Sequence, residues 1–95
     1  MKISNWGNYP VADAEVRSIA SASEMEATTQ DWSAYIARGL GRCYGDSSLG
    51  PHILSTLKLN RFLEFDAENG ILSCQAGVSI AEMLDVIVPQ GWFVP

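Results

Sequence analysis

The stretch Arg38-Gly39-Leu40-Gly41-Arg42-Cys43-Tyr44-Gly45-Asp46-Ser47-Ser48 decides how this chain is read. Its glycines let a backbone turn N–H groups inward and let a ligand approach without obstruction from a Cβ. Arg38 and Arg42 belong to a set of only 6 basic residues, so the loop is a positive spot on an acidic protein. That combination suits a phosphate or pyrophosphate. Two familiar phosphate loops do not fit. The Rossmann fingerprint needs G-x-G-x-x-G opening into a helix, but the third glycine here comes one residue late and Gly50-Pro51 forbids a long helix. A Walker A loop needs Lys and then Ser or Thr after its last glycine, where this chain has Asp46. What remains is a loop between strands that binds anions through its own amides. The alternative is a glycine-rich connector with solvated arginines.

The flanking residues alternate in type. Ala34–Ala37 reads as a buried strand running into the loop, and Glu15–Ala20 as a short strand before it. Overlapping S-x-x-E spacings at Ser21, Ser23, Glu24 and Glu26 predict a capped surface helix whose apolar stripe holds Met25 and Trp32. Beyond the loop, Gly50 and Pro51 mark the entrance to a strand over Ile53–Leu57. Phe62–Asp66 and Ile71–Ala76 flank Asn69-Gly70, the dipeptide that accommodates positive φ in a tight hairpin turn. Ser79 and Glu82 then cap a second helix, with Ile80, Met83, Leu84 and Ile87 at i, i+3, i+4 and i+7 and a stop at Pro89 and Gly91. Trp92, Phe93, Val94 and Pro95 begin another apolar extended segment. An edge ending on exposed aromatics implies that the chain is the N-terminal piece of something larger, prone to self-association without the remainder.

The chain's 95 residues, 47% hydrophobic and 18% charged with no repeat or linker, describe one small globular domain and exclude a disordered tail. A net charge of -5 argues against a general nucleic-acid or anionic-membrane binder. No apolar run approaches the roughly 20 residues needed to span a bilayer, and Met1 to Pro10 lacks the features of a signal peptide, so the expected location is cytoplasmic. Cys43 and Cys74 lack zinc-site spacing and read as free thiols. Arg42 would favour a Cys43 thiolate, but no resolving cysteine stands beside it. His52 has no neighbouring partners for a metal or catalytic dyad and reads as a strand-entrance residue. Asp66 and Glu68 read as turn acids, and Trp6, Tyr9, Trp32, Trp92 and Phe93 as core or contact aromatics.

Four stretches together, WGNYP, RGLGRCYGDSSL, FLEFDAENGILSCQAG and VSIAEMLDVIVPQGWFVP, resemble in that order the N-terminal part of FAD-linked oxidoreductases of the vanillyl-alcohol oxidase or para-cresol methylhydroxylase type. The likeness spans nearly the whole chain and is nearest to the sugar-lactone oxidase and decaprenylphosphoryl-ribose oxidase branch. It implies an α+β fold, a small mixed sheet with flanking helices, forming over residues 1–95 the first subdomain of a PCMH-type FAD-binding domain. It also implies that Arg38, Gly39, Leu40, Gly41, Arg42, Cys43, Tyr44 and Gly45 line the dinucleotide, with Asp46 and Ser47 at the loop's far end. Backbone contacts are expected to outweigh side-chain ones. Branches that attach flavin covalently carry His where this chain has Arg42, so FAD is expected to be held non-covalently. Cys43 replaces the motif's usual Ser, a near-isosteric change that weakens any hydrogen bond made there.

The resemblance implies that the full-length protein oxidises a CH–OH group of a sugar or polyol by hydride transfer to FAD. The second flavin loop and the substrate domain would follow Pro95, so no catalytic residue is expected within this chain, and no turnover. The competing expectation is a stand-alone module whose loop takes a phosphorylated ligand and whose C-terminal aromatics form a protein interface.

Overall fold

The run His52-Ile-Leu-Ser55 is apolar on both faces, the pattern of a strand covered on both sides, and it is the most buried strand of the chain. In the computed structural model, which describes residues 1–95, it is the middle of a three-stranded parallel sheet. The elements in chain order are β1 (Lys2–Ser4), β2 (Val11–Asp13), β3 (Glu15–Ser18), α1 (Ala22–Asp31), β4 (Ile36–Arg38), β5 (His52–Ser55), β6 (Phe62–Asp66), β7 (Ile71–Cys74) and α2 (Ile80–Ile87). The strands form three small sheets in place of one mixed sheet: an antiparallel β1-β2 pair, a parallel sheet in the order β3-β5-β4, and an antiparallel β6-β7 pair. The fold is α+β. The chain, which reads as one piece, divides into two compact units, Met1–Lys58 and Leu59–Pro95. No helix is long and apolar enough to cross a membrane.

In the first unit, Val16 lies opposite Ile53 and Arg17 opposite Leu54, while Ile36 and Ala37 face the same pair from the other side. Ile53 and Leu54 are completely buried, worth about 1.5–3 kcal/mol each in removed apolar surface. Ser21 caps α1 by accepting from the Glu24 N–H at 3.2 Å, and the Glu24 carboxylate accepts from Ala20 N–H at 2.8 Å. The helix does not bury Met25. Its buried residues are Thr28 and the closing Trp32, one turn apart, and the Trp32 ring stacks on His52 at 4.7 Å with the Arg17 guanidinium 4.4 Å from its centroid. β4 begins later than Ala34 and is largely exposed, because it pairs with β5 on one side only and forms an edge. Strand order, which the local pattern does not encode, makes that difference. β1 and β2 carry no strong alternation and went unread in the sequence.

In the second unit, the β6-β7 hairpin closes through Ala67–Gly70, with Asp66 opposite Ile71 and an irregularity at Leu63. Only Gly70 of the Asn69-Gly70 pair adopts positive φ, at 70°. Asn69 works differently: its side chain and N–H, with the N–H of Glu68, donate to the Asp66 carboxylate at 2.8–3.1 Å. These bonds, the Asn69 side chain foremost, hold the Asp66 pKa below its ordinary 3.8. A Cβ on Gly70 would meet the Trp92 ring at 2.5 Å. The segment after Gly91 is accordingly no strand: Trp92 folds back on the turn, donating Nε1–H to Ala67 O at 2.7 Å. Ser79 and Glu82 form the expected reciprocal cap of α2, which ends in a short turn over Val88–Gln90 and a left-handed Gly91.

Replacing Ile53 by Ala should cost about 2–5 kcal/mol, read from chemical unfolding followed by the signal of the nearby Trp32. A loss below half a kilocalorie would contradict its place in the core. The Asp66 contribution to the hairpin should be complete above its unfolded-state pKa, about 3.8, and fade as pH falls through the lower folded-state value. Amide shifts of Glu68 and Asn69 that fail to titrate below about pH 3.8 would contradict this.

Candidate anion site at the glycine loop

Arg38 is the last residue of β4, and its main-chain carbonyl is fixed by the Thr56 N–H at 3.0 Å. From there the side chain turns back beneath the loop it opens. Nη1 donates to Asn5 Oδ1 and Nη2 to the Ser4 carbonyl at 2.9 Å. Arg38 takes part in none of the chain's ion pairs, so this half-buried guanidinium has neutral partners only. A cation withdrawn from water without a counter-charge favours an anion close by.

Gly41 explains how the side chain fits. Its φ is 71°, and a Cβ there would collide with the Arg38 guanidinium. The glycine thus serves the conformation of the turn and the passage of the arginine together.

Asn5 joins the two ends of the loop. It is 4% exposed, and its Nδ2 donates to Gly45 O at 3.2 Å and to Ser47 O. The neighbouring Trp6 N–H donates to Cys43 O at 3.0 Å, and the Cys43 thiol to Ser47 O at 3.3 Å. None of the backbone N–H groups from Gly39 to Ser48 donates to an acceptor within the protein. An open cleft of about 510 Å³ lies here, with Ser4–Asn8 on one side and Arg38, Leu40 and Gly41 on the other. No acidic residue lines it.

The residues singled out in the sequence separate into three groups. Arg38, Leu40 and Gly41 form the cleft wall, with Gly39 between them in the chain. Arg42, Tyr44 and Asp46 have exposed side chains without protein partners, and the Asp46 carbonyl accepts from Leu49 N–H at 3.1 Å. Cys43, Gly45 and Ser47 turn their carbonyls toward the N-terminal segment and do not line the cleft. Cys43 and Cys74 are free thiols. The sequence reading did not mark Ser4 or Asn5, and it used Gly7 and Asn8 only within the WGNYP stretch, without assigning them to the site. A signal existed for the turn, since Gly7-Asn8 is a pair suited to positive φ and both residues adopt it, at 92° and 59°. Nothing in one sequence marks Asn5 as buried.

No family model matches the sequence. The chain is 30% identical over 104 aligned positions to the decaprenylphosphoryl-beta-D-ribose oxidase of Mycolicibacterium smegmatis (strain ATCC 700084 / mc(2)155). The alignment takes in 99% of this chain and 22% of that protein, so the chain spans under a quarter of its relative's length. The similarity supports a distant relationship to an oxidase.

Replacing Gly41 by Ala should destabilise the chain by at least about 1 kcal/mol, since both the positive φ and the Arg38 side chain oppose a Cβ. Chemical unfolding measures it, and wild-type stability would contradict the packing described.

Proposed function

We propose that these 95 residues are the N-terminal part of the FAD-binding domain of a flavin-dependent oxidoreductase, and that the glycine loop takes the pyrophosphate of FAD. The observation that carries this reading is the Arg38 guanidinium, held in an acid-free cleft by neutral acceptors alone. A diphosphate bridge supplies the missing negative charge and acceptors for the unengaged amides of the loop. Exposed Arg42 adds a second cation on the same loop. Distant similarity to an oxidase over almost the full chain favours flavin over other phosphorylated ligands.

Bound in this way, FAD supplies a two-electron acceptor for oxidation of an alcohol carbon. The protein residues have separate tasks: Arg38 and the loop amides hold the phosphates, and Asn5 holds the loop. An arginine at position 42 cannot form a histidyl–flavin bond, so the cofactor is held without a covalent link. In the full-length protein the substrate is a sugar or polyol bearing the CH–OH group, and the groups that position it lie outside this chain.

The test is a titration of the chain with FAD followed by flavin fluorescence, with inorganic pyrophosphate as competitor. FAD should bind, pyrophosphate should displace it, and added salt should weaken both. Acid precipitation should leave all flavin in the supernatant. A chain indifferent to FAD and pyrophosphate at low salt contradicts the reading, and flavin retained in the pellet contradicts the non-covalent part.

A further inference from the structure

We infer that Asn5 is the positioning residue of this site: its neutral carboxamide sets the shape of the glycine loop and leaves the charge of Arg38 available to an anion. The inference rests on the anion-binding reading given above and assigns the residue that makes the site competent.

Three bonds converge on this one side chain. Nδ2 donates to the carbonyls of Gly45 and Ser47, and Oδ1 accepts from Arg38 Nη1. The amide's orientation is unambiguous, because a flipped group would aim an NH2 at a guanidinium donor and an oxygen at two carbonyls. A carboxamide on a short stem is the side chain that offers two donors and an acceptor in this space. With Asn5 buried, removing it leaves its partners unpaired in a place where water is scarce.

The geometry of the peptide unit carries the consequence to the loop. In a trans peptide the C=O and the following N–H point in opposite directions. Fixing the carbonyls of Gly45 and Ser47 on Asn5 therefore turns the N–H groups of Asp46 and Ser48 away from it. Likewise, the Trp6 N–H on Cys43 O turns the Tyr44 N–H outward. None of these three N–H groups has an acceptor in the protein. The N-terminal segment thus gathers alternate carbonyls of the loop's far half, turns the intervening donors away from the cleft, and leaves Leu40 and Gly41 beside Arg38 in its wall.

Charge explains why the residue is Asn and not its acid. An aspartate at position 5 would be nearly isosteric, but it would pair with Arg38, cancel one positive charge of a cleft that has no other charged side chain in its wall, and set acceptor against acceptor at Gly45 and Ser47. The neutral amide orients the guanidinium without neutralising it.

Inorganic pyrophosphate and FAD are titrated separately onto the unsubstituted chain, Asn5→Ala and Asn5→Asp at several salt concentrations, with far-UV circular dichroism to confirm folding. Both substitutions should weaken binding by about tenfold or more, the scale of unpaired buried hydrogen-bonding groups. The salt dependence should persist in Asn5→Ala and diminish in Asn5→Asp, a difference that a purely structural role would not produce. Folded variants that bind with wild-type affinity and salt dependence overturn the inference and leave the flavin reading intact, whereas an unsubstituted chain that binds neither ligand overturns that reading. Nuclear magnetic resonance of the unsubstituted chain gives a second readout, independent of how the variants fold. The Asn5 side-chain amide should exchange far more slowly than that of exposed Asn8, and the backbone amides of Leu40 and Gly41, which border the cleft, should shift on adding pyrophosphate. An Asn5 amide that exchanges as fast as Asn8 overturns the assignment.

Discussion

Arg38 carries a permanent charge into a half-buried position in which its partners, the Asn5 amide oxygen and the Ser4 carbonyl, are both neutral. A guanidinium tolerates this better than an ammonium because it is more weakly hydrated and its planar fork matches fixed acceptors. The rest of the first unit can be understood as the apparatus that keeps the group there. β4 delivers it at a strand end, the Thr56 N–H fixes its main chain, and Gly41 leaves room for the side chain to double back. Asn5 then ties it to the far end of the loop.

Rigidity for this arrangement comes from an unremarkable source. β5 is short, but its two central side chains are fully buried, and pairing on both edges leaves it no freedom to shift register. Once β5 is fixed, β4 is fixed against it, and the direction in which the chain enters the glycine loop follows. The β1-β2 ribbon adds the other wall: the N-terminal ammonium binds Asp13 at 3.2 Å and the Ala14 carbonyl at 3.0 Å, closing the ribbon so that Asn5 leaves it in a defined direction. The site is thus formed between the end of one sheet and the turn of another, both within the same compact unit.

How much of this could be read from the sequence follows from the range of the forces involved. Local chemistry was legible: the Ser21 and Ser79 caps, the hairpin around Asp66 and Gly70, and the stop at Gly91 each depend on residues within a turn of one another. The glycine loop stood out in the sequence because its composition is unusual at short range. Exposure of β4 was not, since it depends on which strand lies at the edge of the sheet. The fold-back of Trp92 onto Ala67, across 25 residues, and the burial of Asn5 against residues 40 and 42 positions away were equally beyond local pattern. Asn5 as read alone is an ordinary polar residue near a terminus.

The central claim is that the Arg38 charge waits for an anion. Nitrogen-detected magnetic resonance of the arginine guanidinium groups during addition of inorganic pyrophosphate tests it directly. The Arg38 Nε–H resonance should shift in a saturable, salt-sensitive manner, while Arg17, already paired with Asp31 at 3.0 Å, stays in place. An Arg38 signal that does not respond at any pyrophosphate concentration, or that moves no more than Arg17, would contradict the account.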